Sequence, residues 1–361
     1  LKGCGDMEIG KAHHGKHQTE ISRKKHHGHK KEEYSMEPKD NISFGQSVQN
    51  DSSKELSEMK KKIEDSISTV ATGGISQGTA EKGGTTVEIG SYNMEWLGDS
   101  KEKPRSDKDY AMLAQVIKDS GVEVMGVQEI ADEKGLQKVV SNLPGFDYIL
   151  GTTGIRDNGK KQFIGIIYNT ERVQCDKNSV KELKEAQVAH LMGDNHLRAP
   201  LIVDMKADNF SFTLVNVHMK SKRGEKGGKV SIRDEQAKII NKWMKDQIAS
   251  GKDKDIILVG DCNDFIDSKC MKLLTDGVMQ FATEEAKAKG EYSNIPWKSL
   301  IDQIGITVVN INGGPVGGAV ANYIKDSTHV FDTRKYPGHQ KWGSDHMPVV
   351  ASFKTDVDVD G

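Results

Sequence analysis

Ala199-Pro200-Leu201-Ile202-Val203-Asp204-Met205, a short break at Lys206-Ala207-Asp208-Asn209, and then Phe210-Ser211-Phe212-Thr213-Leu214-Val215-Asn216-Val217-His218-Met219 decide what kind of fold this chain adopts. Both runs are rich in β-branched and aromatic residues, and the break between them carries the turn formers Asp and Asn. Two strands this close leave no room for a crossover helix, so they must run antiparallel. A purely parallel sheet is therefore excluded.

Working outward from this hairpin, further strands are predicted over Thr86–Met94, Val122–Ile130, Phe146–Gly151, Phe163–Asn169, Asp255–Asp261 and Pro348–Phe353. Apolar residues at three- and four-residue spacing predict helices over Asp107–Asp119, Glu133–Asn142, Ser231–Ser250 and Ser268–Thr275. Strands that alternate with helices in places and follow one another directly elsewhere point to an α/β domain of two packed mixed sheets with helices outside.

That domain is expected over residues 85–361. Residues 1–50 are polar and lysine-rich, with too few apolar side chains to offset the entropy of ordering, and read as a disordered tail. This tail holds half of the twelve histidines, His13, His14, His17, His26, His27 and His29, in clusters that lack the acidic partners of a dedicated metal site. In residues 51–84, Leu56, Met59, Ile63, Ile67 and Val70 mark a short amphipathic helix, followed by a glycine-rich linker. The first residue is Leu1 rather than Met, so the start of the reading frame is expected to be missing. Leu1-Lys2-Gly3-Cys4 resembles the end of a bacterial lipoprotein signal, with Lys2 as its one departure. Lipidation of Cys4 would tether an exported protein to a membrane.

A formal charge of −2 gives no global pull toward nucleic acid, so an anionic substrate must be held locally. Four scattered cysteines, Cys4, Cys175, Cys262 and Cys270, form neither a disulfide framework nor a zinc-ligand spacing. No apolar window is long enough to span a bilayer.

Several apolar strands deliver polar groups at one end: Asn93 after Ile89–Tyr92, Glu129 after Val124–Gln128, His218 after Leu214–Val217, and Asp261 and Asn263 at the end of Ile256–Gly260. Asp345-His346 stands at the mouth of Val349-Val350. Such groups rarely end apolar strands without partners.

With Tyr92-Asn93-Met94, Gln128-Glu129, Arg198-Ala199-Pro200-Leu201, Asn216-Val217-His218, Gly260-Asp261-Cys262-Asn263, Ile301-Asp302 and Ser344-Asp345-His346 in this order, residues 85 to about 355 resemble the endonuclease/exonuclease/phosphatase superfamily, whose members include pancreatic-type deoxyribonucleases. The resemblance implies a four-layer α/β/β/α sandwich. It also implies a divalent ion, Mg²⁺ or Mn²⁺ with Ca²⁺ as a further candidate, held by Glu129 with Asn93 and Asp345 in support. Asp261 would activate or orient the attacking water, Asn263 would bond that water or a phosphoryl oxygen, and His346, paired with Asp302, would contact the phosphate. His218 would be the general acid, while Arg198, with Asn93, would help hold the substrate. These types suit the chemistry, because a phosphodiester repels hydroxide and needs a cation, an oriented water and a proton for the leaving oxygen.

Duller roles exist for some of these residues: Asn93 as a turn cap, Arg198 in a structural ion pair, Asp302 bonding only backbone amides. Two departures from the family pattern stand out. Cys262 replaces a usual Phe, and Lys160-Lys161-Gln162 lacks the Glu that orients the acid histidine in deoxyribonuclease-like members. The basic loop Lys220-Ser221-Lys222-Arg223-Gly224 suits a phosphate backbone. It and the helix starting Arg233-Asp234-Glu235-Gln236-Ala237, which resembles that of bacterial extracellular and membrane-associated nucleases, favour a nuclease acting on DNA, with RNA as the further candidate, and the catalytic domain is expected to be monomeric. A phosphomonoesterase or phospholipid-headgroup hydrolase shares the same residues, and a tethered binding protein is the reading without catalysis.

Overall fold

In the computed structural model, residues 86–99, 101–155, 158–192, 196–222, 231–310 and 316–358 are described. The histidine-rich tail, the Leu56–Val70 helix, the glycine linker and Cys4 lie outside them. The chain opens with β1 (Thr86–Leu97), α1 (Asp107–Asp119), β2 (Val124–Ile130), α2 (Glu133–Val140), β3 (Phe146–Leu150), β4 (Phe163–Asn169) and β5 (Val173–Glu182). There follow α3 (Ala189–Met192), the hairpin β6 (Leu201–Ala207) and β7 (Phe210–His218), then α4 (Ile232–Ala249), β8 (Ile256–Asp261), α5 (Lys269–Thr275), β9 (Met279–Phe281) and α6 (Glu284–Ala288). The last elements are β10 (Asp302–Thr307), the short β11 (Val309–Asn310), β12 (Val316–Gly317) and β13 (His329–Val330), and β14 (Val349–Lys354).

Two six-stranded mixed sheets result, in the orders β13-β14-β1-β2-β4-β3 and β5-β6-β7-β8-β10-β9. Each has one parallel pair near its centre, β1/β2 and β7/β8, while their other neighbours pair antiparallel. Each parallel pair is bridged by a helix, α1 or α4, as parallel neighbours require.

Helix α1 starts at a capping box, Ser106 donating its backbone N–H to Asp109 at 2.6 Å, and buries Leu113, Val116 and Ile117 with Met125, Val127 and Ile167 of the first sheet. On the far side, Ala237, Ile240 and Met244 of α4 pack with Met271 and Leu274 of α5 and the second sheet. The layers are thus helix, sheet, sheet, helix, the four-layer sandwich that the resemblance implies. Leu113 is fully buried, and truncating it to Ala would cost about 2–5 kcal/mol.

Between the sheets, period-two alternation turns Val87, Ile89, Ser91 and Asn93 of β1 inward to meet the second sheet, while Tyr92 and Met94 face α1. The sheets approach closely at Gly126, where an added Cβ would stand 2.5 Å from Val259 Cγ2. Nearby, Gln128 Nε2 donates to Asn216 Oδ1 at 2.8 Å, and Asn216 Nδ2 donates to the carbonyls of Val127 (3.1 Å) and Gly165 (2.7 Å). Asn216 therefore ties the sheets together beneath the site, and each of these fully buried polar groups has a partner.

Besides the two- and three-residue strands β9, β11, β12 and β13, two longer strands escaped sequence reading, for different reasons. β5 is a half-exposed edge strand whose pairing with β6 shifts register between Asp176 and Lys181, so no apolar alternation marks it. β10 is buried at every position, yet it carries Asp302, Gln303 and Thr307.

Candidate active site

Sheet register does much of the assembly. Asp261 pairs with His218 on one side and Asp302 on the other, so three neighbouring strands, β7, β8 and β10, present these residues in one row. In the first sheet Asn93 pairs with Gln128. β1, β2, β7 and β8 end at this edge, while β10 and β14 begin there, which brings Asp302 and the Asp345-His346 segment to the same place. All the predicted catalytic and metal residues gather here, around a cleft of about 1200 Å³ lined by Glu129, Arg198, His218, Asp261, Asn263, Asp345 and His346.

Asn93 Nδ2 donates to Asp261 Oδ2 at 3.0 Å, and its Oδ1 accepts the Glu95 N–H at 2.9 Å. Glu129 breaks the strand alternation. Its φ of 60° is left-handed, and the pairing of β2 with β4 shifts register between Val127 and Ile130. Glu129 Oε1 lies 3.9 Å from His218 Nε2, which is also 3.8 Å from Asp261 Oδ2. These carboxylates face the imidazole, and Gln162 lines the same cleft. Asn263, also left-handed at φ 52°, gives its backbone N–H to Asp261 Oδ1 at 2.8 Å and one side-chain N–H to Met219 O at 3.1 Å. Its second amide hydrogen remains for a ligand. Arg198 Nη2 donates to the same Met219 carbonyl at 3.3 Å while its charge acts on Glu129.

His346 Nδ1 lies 2.7 Å from Asp302 Oδ2, and its Nε2 lies 3.0 Å from Asn294 Nδ2. Asn294 Oδ1 accepts the Trp297 N–H at 3.1 Å, which turns the amide nitrogen toward the ring. That contact favours a neutral imidazole. Burial also favours the neutral form, but the Asp302 charge and hydrogen bond, with Asp261 and Asp345, outweigh burial and raise the His346 pKa to about 10. Burial, reinforced by Asp302, raises Asp261 to about 7. Glu129 is raised by burial and by Asp345, against the opposing charges of His346 and Arg198.

Sequence reading missed three contributors. Asn294 sits in a loop with no motif around it. Glu95, raised by burial and by Asp345, accepts the Asp345 N–H at 2.8 Å and pairs with Lys103. Arg105 spans two segments of the site, donating to the carbonyls of Met94 (2.7 Å), Glu95 (2.7 Å), Trp96 (3.1 Å), Trp342 (2.9 Å) and Gly343 (2.5 Å).

Two acidic groupings can hold a cation. Asp261, Asp302 and His346 bring ligand atoms within 4.8 Å of one another, but Nδ1 of that ring is already committed to Asp302. Glu129 and Asp345 instead face the cleft with partly exposed carboxylates that repel one another. Two hard oxygen donors of this kind beside the Asn93 amide suit Mg²⁺ or Mn²⁺. The residues present therefore fit the ion that the resemblance implies.

No sequence-family profile and no curated protein matches the chain. Solved structures do. An endonuclease/exonuclease/phosphatase family protein from Bacteroides thetaiotaomicron is 22% identical over 77% of this chain and 98% of its own, with a TM-score of 0.51. A mannosyl-6-phosphatase from the same organism is 22% identical over 73% of this chain and 98% of its own, at 0.50. TDP2 from D. rerio, in complex with a single-strand DNA product, is 16% identical over 75% of this chain and 100% of its own, at 0.54. The fold is the one that the endonuclease/exonuclease/phosphatase proteins share.

Proposed function

We propose that this protein hydrolyses phosphodiester bonds in nucleic acid, DNA in the first place, with a divalent cation. The observation that carries the reading is the row His218-Asp261-Asp302 on three adjacent strands, with the Asp302–His346 pair at its end, facing Glu129 and Asn93 of the opposite sheet across one cleft. A dianionic or monoanionic phosphoester placed there has an acid on one side, a base below, and hydrogen-bond donors around its oxygens.

A cation held by Glu129, Asp345 and Asn93 would supply positive charge to the phosphate. Asp261 takes the proton of the attacking water as its oxygen bonds to phosphorus. The charge gathering on the phosphoryl oxygens is met by His346, held protonated by Asp302, and by the remaining amide hydrogen of Asn263. As the phosphorus–oxygen bond to the leaving group breaks, protonated His218 gives that oxygen its proton. Lys220, Ser221 and Lys222 also line the cleft, next to His218, and favour an anionic chain over an isolated phosphate.

Supercoiled plasmid, linear DNA and RNA, each incubated with Mg²⁺, Mn²⁺ or Ca²⁺, test this reading. DNA cleavage that EDTA abolishes is expected. Release of inorganic phosphate from a sugar phosphate, with every polynucleotide left intact, would replace it with a phosphomonoesterase.

A further inference from the structure

The mouth of the cleft carries aromatic surface that hydrolysis of a small phosphoester does not need. Among the described residues, Trp297 (73% exposed) and Phe265 (51%) are the most exposed of the large apolar side chains, and both line the cleft. Aromatic surface at the rim of a cleft is area that a ligand seated there can cover.

Neither side chain is a stray surface residue. Phe265 follows Asp264 directly and donates its N–H to the Asp264 carboxylate at 3.0 Å. Asp264 is buried and also holds Lys222 Nζ at 3.0 Å, which stands 5.3 Å from the centre of the Phe265 ring. This fixes an aromatic plate and a cation together on the His218 side of the site. Trp297 is tied through its N–H to Asn294, whose amide nitrogen reaches His346. The second plate therefore belongs to the His346 side.

A plate on each flank of the phosphate position is what a polynucleotide with accessible base faces requires, since every base can stack on an aromatic ring whatever its identity. In a duplex, those faces are covered by neighbouring base pairs. The low net charge of the chain points the same way, because stacking gives affinity that the global field does not.

We propose that the cleft takes single-stranded nucleic acid, with one unpaired base stacked on the face of Phe265 turned away from Lys222 and another on Trp297, so that the phosphate between them lies between His218 and His346. The proposal rests on the phosphodiesterase reading and names the form of its substrate.

The test is steady-state cleavage, by the full chain with Mg²⁺ or Mn²⁺, of a single-stranded oligonucleotide, its fully paired duplex, and single strands carrying abasic residues beside the cut position. The wild type should show a KM about tenfold or more lower for the base-bearing single strand than for the duplex or the abasic strand. In Phe265→Ala and Trp297→Ala that preference for bases should shrink severalfold, and Phe265→Tyr and Trp297→Phe should restore it. Equal KM values for paired, unpaired and abasic substrates in the wild type would overturn the proposal. So would alanine variants that keep the full preference for bases but lose binding to phospholipid vesicles, which would make the aromatics a membrane contact. A wild type that cleaves neither these substrates nor a nitrophenyl phosphodiester would sink the phosphodiesterase reading itself, whereas cleavage of the nitrophenyl ester without any preference for bases sinks only the stacking.

Discussion

The imidazole of His346 and the carboxylate of Asp302, 2.7 Å apart, belong to different sheets: His346 precedes β14 of the first, and Asp302 opens β10 of the second. The pair thus ties the end of one sheet to the start of a strand in the other, and any loosening of the sandwich would be felt as a change in its hydrogen bond.

His218 and His346 should be separable by leaving group. Each alanine variant is expected to lower DNA cleavage by about a hundredfold or more, the usual scale for losing an acid or a charge-stabilising donor. A nitrophenyl phosphodiester leaves without needing a proton, so it should rescue His218→Ala and leave His346→Ala impaired. Equal rescue of both in stopped assays would show that the roles are wrongly divided.

Glu129→Gln removes one ligand charge at nearly constant volume. The variant should fold normally by circular dichroism and need about tenfold or more Mg²⁺ to reach half-maximal activity. An unchanged metal titration would remove Glu129 from the ion's ligands.

The pH dependence follows from two raised pKa values. Cleavage needs Asp261 ionised and both His218 and His346 protonated, so kcat/KM should rise through about 7, and its alkaline fall should be complete once His346 loses its proton through about 10. A bound cation would move the lower limb toward acid. For stability, His346 holds its proton more tightly folded than unfolded, where its usual value is 6.5. Its contribution is therefore complete below about 6.5 and lost as pH rises through about 10. Asp261 also favours its protonated form when folded, and charging it costs stability between its usual 3.8 and about 7. His339, lowered by burial to about 4, works the other way and weakens the protein as pH falls through that value. Thermal unfolding in EDTA should thus decline above neutrality, and His346→Gln should flatten the alkaline part of the curve. A variant profile parallel to wild type there would show that the pair stores no such energy.

Arg105 should matter more than its distance from the phosphate suggests. Its five bonds to backbone carbonyls hold the segment with Glu95 against the one that precedes Asp345, and losing them should cost about 3 kcal/mol in denaturant unfolding. Arg105→Lys keeps the charge but not the planar fork, and is expected to recover less than half of that loss. Full recovery would reduce Arg105 to a point charge.

The sandwich was legible because strong apolar periodicity marks its elements: strand Phe163–Asn169 and helix Asp107–Asp119 match residue for residue. The site was legible for a related reason, since a polar side chain closing an apolar strand is conspicuous in one dimension. Asp302 is the instructive middle case. Its motif named the residue, yet β10 went unseen because its buried polar groups are satisfied by loops distant in sequence, such as Ser293 Oγ accepting the Asp302 N–H at 3.2 Å. Asn294, Glu95 and Arg105 were invisible because their roles rest on contacts with distant backbone and on the left-handed turn at Glu95 and Trp96, neither of which has a local sequence signature.

Gly126 sits on β2 where the first sheet faces Val259 and Asn216 of the second. Because its missing side chain lets β2 rest against Val259 of β8, it acts as the spacer that sets how far Glu129 stands from Asp261. A methyl group there would wedge the halves apart and widen the cleft across which the proposed reaction needs Glu129 and Asp261 to reach one phosphate, so the position would act through a length rather than through any chemistry of its own.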